Sequence, residues 1–195
     1  MKTDKKLYII AGCNGAGKTT ASYNILPQIL DCKEFVNADE IAKGLSPFQP
    51  EKVAIEAGRI MLQRVDELMR HGVDFAVETT LATKTYVQKI KKAQESGYIV
   101  TLLFLWLRNV ELAKDRVEIR VKEGGHNIEE DVIERRYVSG IRNLFELYVP
   151  VCDTIILMDN SEQIPKFVLK IENGTTQIYD ESTLHKITSL YNEQK

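Results

Sequence analysis

The residues Gly12-Cys13-Asn14-Gly15-Ala16-Gly17-Lys18-Thr19 carry the spacing G-x-x-x-x-G-K-[ST] and follow directly on the apolar run Leu7 to Ala11. Glycines at 12, 15 and 17 let successive backbone N–H groups converge on an anion. A helix opening just after the loop would add the positive end of its dipole. Lys18 is expected to reach the β- and γ-phosphates of a nucleoside triphosphate, and the Thr19 hydroxyl to hold Mg²⁺. Asn14, Ala16 and Thr20 complete the stretch expected to contact it, with ATP and Mg²⁺ as the ligand pair. Such a loop identifies the donor of a phosphoryl group and leaves its acceptor open, whether water, nucleotide, sugar or protein.

Two other segments place polar residues where a short apolar run ends. Asn37-Ala38-Asp39-Glu40 follows Phe35-Val36, and Glu78-Thr79-Thr80 follows Phe75-Ala76-Val77. In open α/β sheets ligands gather beyond the carboxyl ends of the strands, and a carboxylate there can take the proton of an attacking hydroxyl. Asp39 is the expected base, with a helix N-cap ahead of Ile41 as its structural alternative. Glu78 is placed to hold Mg²⁺ through water or to fix a substrate hydroxyl, and Asn37 and Thr80 join it as candidate acceptor contacts.

Six of the nine arginines fall between Arg108 and Arg142. Arg116 and Arg120 lie four apart, hence on one helix face, and Gly124-Gly125-His126 interrupts the helix just beyond. The region reads as a helical lid that carries one to three arginines onto the transferring phosphate, the rest being held in surface ion pairs. Arg116 and Arg120 are the catalytic candidates, and Arg136 a substrate-binding one. His126 is expected either to touch nucleotide or to close the turn, while His71 and His185 read as surface residues. Asp159-Asn160-Ser161 ends the last short apolar run, where backbone atoms are suited to meet a nucleobase.

Positioning these groups requires strands that end together and helices that pack behind them. Runs of strand length occur at Leu7 to Ala11, Glu34 to Asn37, Phe75 to Val77, Ile99 to Leu107 and Thr154 to Met158. They are continuously apolar, as strands of a parallel sheet covered on both faces must be. Between Pro50 and His71, Val53, Ala57, Ile60, Met61, Val65, Leu68 and Met69 form one helical stripe. A further helix is expected from about Thr83 as N-cap to Gly97 as its C-terminal stop. Phe167 to Ile171 and Thr175 to Tyr179 flank Asn173-Gly174, a hairpin signal, and a helix over about Glu181 to Tyr191 follows.

The fold expected is a three-layer α/β P-loop fold with a five-stranded parallel sheet, a helical lid and an appended C-terminal hairpin and helix. It forms a single domain over 1–195, with a core of about 5–162. With 26 Lys and Arg against 28 Asp and Glu, the net charge of −2 argues against a nucleic-acid binder. The longest apolar run, Tyr98 to Leu107, is half the roughly 20 residues a membrane span needs. The three cysteines lack metal-site spacing, and reduced thiols in the cytoplasm fit them.

Taken as a set, the chain resembles the zeta-toxin-like family of P-loop kinases over roughly residues 5–162. The resemblance rests on Gly12 to Thr19, Phe35-Val36-Asn37-Ala38-Asp39, Phe75 to Leu81, Arg116 and Arg120 leading into Gly124-Gly125-His126, Arg135-Arg136-Tyr137 and Asp159-Asn160-Ser161. It implies a kinase that uses ATP and Mg²⁺ to phosphorylate a sugar hydroxyl of a nucleotide sugar, UDP-N-acetylglucosamine being the acceptor of the toxins proper. By that likeness Asp39 is the catalytic base, Glu78 and Thr80 contact the substrate, and an antitoxin protein is a possible partner. Where the toxins carry a substrate-binding arginine shortly after the Glu and Thr, this chain has Ala82. Two readings remain beside this one: a nucleotide or nucleoside kinase, and a non-kinase ATP-binding switch or antitoxin-interaction protein.

Overall fold

The computed structural model describes residues 4–125 and 127–193. One sheet runs through them in the order β2-β3-β1-β4-β5-β6-β7. β1 (Lys5–Ala11) lies between β3 (Phe75–Thr79) and β4 (Tyr98–Trp106), with β2 (Glu34–Val36) outside β3 and β5 (Thr154–Asp159) outside β4, all parallel. β6 (Lys166–Glu172) and β7 (Thr175–Ile178) add on antiparallel, so the expected hairpin extends the sheet to seven strands instead of standing apart from it. Asn173 and Gly174 between them have φ of 51° and 73°, the backbone a tight two-residue turn requires.

Leu7 to Ala11, Phe75 to Val77 and Leu102 to Trp106 are buried without alternation, which only a sheet covered on both faces allows. The cover comes from α1 (Lys18–Gln28), α2 (Ala38–Leu45), α3 (Ala54–His71), α4 (Thr85–Glu95), α5 (Val110–Lys122), α6 (Glu130–Asn143) and α7 (Glu181–Asn192). The predicted apolar stripe is the buried face of α3, where Ala57, Met61, Val65, Leu68 and Met69 enter the core. Pro50 starts that segment in a single 3₁₀ turn, Pro50–Val53, ahead of the helix proper. Lys84 directly precedes α4, within one residue of the expected start, and the Thr83 carbonyl accepts from the Tyr148 hydroxyl at 2.8 Å.

Chain direction fixes where a ligand can lie. From β1 the chain passes over β3 to reach β2, and later crosses from β3 past β1 to β4, so the connections diverge at the carboxyl ends of β1 and β3. α6 closes that end from above. Tyr137 donates to Leu107 O at 2.8 Å and Asn143 to Leu81 O at 2.6 Å. Gly140 lets the helix approach so closely that a Cβ there would sit 2.8 Å from Thr80 O. Gly140→Ala should therefore lower stability by about 1–3 kcal/mol despite alanine's better helix propensity, read as a lower urea midpoint. An unchanged or higher midpoint would mean that α6 does not lie this close to the strand end.

Candidate active site

The loop between β1 and α1 is shaped by three glycines in backbone conformations that side chains resist, with φ of 145° at Gly12, 77° at Gly15 and 79° at Gly17. Space excludes side chains as well. A Cβ would lie 2.4 Å from Leu105 O at Gly12, 2.6 Å from Ala113 O at Gly15 and 2.6 Å from Asn160 Nδ2 at Gly17. The loop is thus pressed between β4, α5 and the segment after β5. Asn160 fastens it by donating to Ala16 O at 2.7 Å. This side-chain contact was not anticipated, since only backbone atoms were expected to act at that strand end.

Lys18 is buried at the start of α1 and donates to Cys13 O at 2.9 Å, an arrangement that curls its amine back over the loop. Glu78 Oε1 is 3.8 Å from the same amine. The parallel register that pairs Ile10 with Glu78 and Val36 with Val77 sets Glu78 beside both the phosphate loop and Asn37. Its carboxylate accepts from Thr19 Oγ1 at 2.9 Å and from Asn37 Nδ2 at 2.9 Å. Burial raises the Glu78 pKa above the usual carboxylate range, against the lowering effects of Lys18 and the Thr19 hydrogen bond, and Asp39 and Glu40 add to the rise.

Asn37, Asp39 and the start of α2 form one local unit. Asn37 is the N-cap, its side-chain oxygen accepting from Asp39 N at 2.8 Å, so the capping role considered for Asp39 belongs to its neighbour two residues earlier. The Asp39 carboxylate is thereby left exposed on the first turn, and among the described residues it has no hydrogen-bond or ion-pair partner. It borders three adjoining spaces. One, of about 450 Å³, also touches Lys18, Asn37, Glu78, Thr80 and Arg136. A second, of about 790 Å³, runs under Gly124, Gly125 and the fully exposed Phe48. The third, of about 200 Å³, joins Thr19 to Arg120.

The arginines separate by what they touch. Arg116, expected to be catalytic, instead donates from Nη1 to Asn160 O at 2.9 Å and from Nη2 to Ser161 O at 3.0 Å. It clamps α5 to the end of β5 and takes up two of the carbonyls that the sequence places for nucleobase contact. Arg108 pairs with Glu162 on the surface. Arg120 faces the space beside Thr19 and Asp39, and the Gly124-Gly125 turn folds over it, Gly125 N donating to Arg120 O at 2.8 Å. Arg136 reaches the loop, with Nη1 donating to Asn14 Oδ1 at 3.2 Å. Burial lowers its pKa, Asp39 counters this and Arg135 reinforces it. Thr20 is exposed on α1 and borders none of the three spaces, whereas Thr80 lines the one of about 450 Å³. His126 lies outside the described residues, and His71 and His185 are exposed as expected.

With this geometry in view, comparison with known proteins is decisive at the level of family. The Zeta toxin family profile matches residues 1–183. The chain belongs to the Zeta toxin family. An uncharacterized protein of Haemophilus influenzae is 33% identical over 142 residues, covering 68% of this chain and 98% of that protein. The AvrRxo1-ORF1:AvrRxo1-ORF2 complex solved with sulphate ions aligns with a TM-score of 0.78 and 19% identity over 97% of this chain. This chain spans only 65% of that one. The same complex solved with ATP gives 0.77 and 18%. The PezAT chromosomal toxin-antitoxin system of Streptococcus pneumoniae gives 0.65 and 16%, over 98% of this chain and 88% of that chain. At these identities the solved structures establish the P-loop kinase fold. No helix among the described residues is long and apolar enough to cross a membrane.

Because Glu78 binds a proton more readily in the folded chain than in the unfolded one, its protonated form adds stability at low pH, and that stability is lost as pH rises through its raised pKa. Glu78→Gln removes the buried charge. The variant should have a higher melting temperature than wild type above neutrality, and the advantage should shrink on acidification as the wild-type carboxyl takes up its proton. A difference that stays constant from pH 4 to pH 8 would show that burial of the charge is not what sets this group's environment.

Proposed function

We propose that the protein is an ATP-dependent kinase that transfers the γ-phosphoryl group to a hydroxyl of a small molecule, with a nucleotide sugar of the UDP-N-acetylglucosamine type as acceptor. The observation that carries this reading is the free carboxylate of Asp39 on the wall of an open cleft of about 450 Å³ that also contains Lys18. A switch that only binds or hydrolyses ATP has no use for such a space beside the terminal phosphate.

The glycine cradle and Lys18 fit the triphosphate tail, since the loop has no room for side chains at Gly12, Gly15 and Gly17 and Lys18 curls its amine back over it. Thr19 and Glu78 offer hard oxygen ligands side by side, directly or through water, and fit Mg²⁺. Bound there, the ion would neutralise charge on the β- and γ-phosphates. Asp39 takes the proton of the attacking hydroxyl, and the Asn37 cap fixes the backbone of the helix turn that carries it. Arg120 and Arg136 approach from the lid side and stabilise negative charge on the transferring group. Thr80 and Asn37 supply hydrogen bonds to the acceptor. The relation to toxin-antitoxin proteins supports an antitoxin-like partner as part of the same reading.

Purified protein incubated with ATP, Mg²⁺ and a panel of nucleotide sugars should yield a phosphorylated product by mass spectrometry. Asp39→Asn should lower kcat by about 100-fold or more while leaving the affinity for ATP within about threefold. A variant that retains full kcat would remove Asp39 from the role of base.

A further inference from the structure

The wall of the acceptor cleft opposite the phosphate loop is the stripe Ile55, Gly58, Arg59 and Leu62 of α3, four positions that fall on one face of the helix. Two of these residues have no role in holding the protein together. Gly58 lies in the body of an 18-residue helix, where glycine is less favourable than alanine. Packing does not demand it, for a Cβ there would meet nothing within 4 Å. Gly140 shows what a structurally required helix glycine looks like in the same chain, with a backbone oxygen 2.8 Å from the missing Cβ. The methyl group absent at Gly58 would instead project beside the cleft.

Arg59 is the second. Its side chain is exposed, and among the described residues no carboxylate forms an ion pair with it and no hydrogen bond engages it. The other arginine of α3 that bears on the sheet, Arg64, is held by Glu34 at 2.9 Å and Glu67 at 3.3 Å. Along the same cleft stand the hydroxyls of Thr80, Thr83 and Thr85, neutral donors that suit an anion. The carboxylates bordering the cleft, Asp39 and Glu78, lie at the phosphate-loop end with Lys18. The α3 side thus combines an unpaired guanidinium, hydroxyl donors and a gap in the wall.

We propose that Arg59 anchors a phosphate ester carried by the acceptor, and that Gly58 leaves the room in which the adjoining part of the acceptor lies against the α3 backbone. The inference rests on the kinase reading above and narrows it to acceptors that already bear phosphate, whether as the diphosphate of a nucleotide sugar or as a sugar monophosphate. A guanidinium meets phosphate oxygens through two parallel N–H donors, so the site selects a group remote from the reacting hydroxyl. Arg59 should act on acceptor binding and little on the chemical step.

A small-molecule extract separated by anion exchange into neutral and retained fractions, each incubated with the protein, ATP and Mg²⁺, tests the class. The phosphorylated product should arise from the retained fraction, and UDP-N-acetylglucosamine, N-acetylglucosamine 1-phosphate and N-acetylglucosamine run in parallel separate the two sources of phosphate. On the active acceptor, Arg59→Ala should raise KM about tenfold or more, with kcat and the KM for ATP moving less than about threefold, and Arg59→Lys should recover part of the loss. Gly58→Ala should raise the melting temperature by about 2–4 °C and raise the acceptor KM in the same protein, a pairing that a purely structural glycine would not give. Product from the neutral fraction, or an acceptor KM unmoved in Arg59→Ala, overturns the anchor while leaving the kinase reading in place. Absence of product from both fractions overturns the kinase reading and the anchor with it.

Discussion

A carboxylate that is almost out of reach of solvent must be met by partners from its own chain, and Glu78 obtains three of them from two places far apart in sequence. Thr19 and Lys18 come from the helix after the phosphate loop, and Asn37 from the turn after β2. The edge-to-centre order of β2, β3 and β1 is what lets them converge. Without Glu78 the Thr19 hydroxyl and the Asn37 amide would each lose their partner on the same oxygen, and the loop and the acceptor wall would no longer share a fixed point. The arrangement also sets a condition on ligands. Whatever draws Lys18 and Thr19 outward must bring cationic charge of its own to Glu78, which a nucleotide arriving with a divalent ion does and a bare nucleotide does not.

Close approach of backbone to backbone performs the rest of the positioning. Gly12 lies against β4, Gly15 against α5 and Gly140 against the end of β3, each at a separation that a methyl group would break. Arg116 and Asn160 then tie α5 and the segment after β5 to the same loop. The phosphate-binding side is therefore heavily cross-linked, whereas the acceptor side is lined by exposed residues such as Asp39, Phe48 and Arg59. Rigid donor site and open acceptor site match a division of labour in which one nucleotide is held invariantly and the second substrate is accommodated.

The parts of this structure written in local pattern could be read from the chain alone. Continuous apolar runs placed the five parallel strands to within about two residues, and Asn173-Gly174 gave the hairpin because positive φ is a property of those residues themselves. What local pattern does not carry is partnership across the fold. Asp39 and Asn37 both suit a helix cap, and only the geometry of the turn shows that Asn37 takes it. Arg116 and Arg120 share a helix face and look alike in sequence, yet the first is consumed by two carbonyls just after β5, 44 and 45 residues away. Arg59 and Gly58 are hidden beside the buried stripe of a helix, because the flank of an amphipathic helix looks like any solvated surface until the cleft beside it is known.

The sulfur chemistry of the molecule follows from the same packing. Burial drives the thiol of Cys13, inside the phosphate loop, up to about 11, and those of Cys32 and Cys152 to about 11 and about 12. At physiological pH all three are neutral thiols and poor nucleophiles, so alkylating agents and peroxide find little thiolate to attack. A phosphate loop with a cysteine at its second position therefore presents a buried, neutral thiol in place of a reactive one.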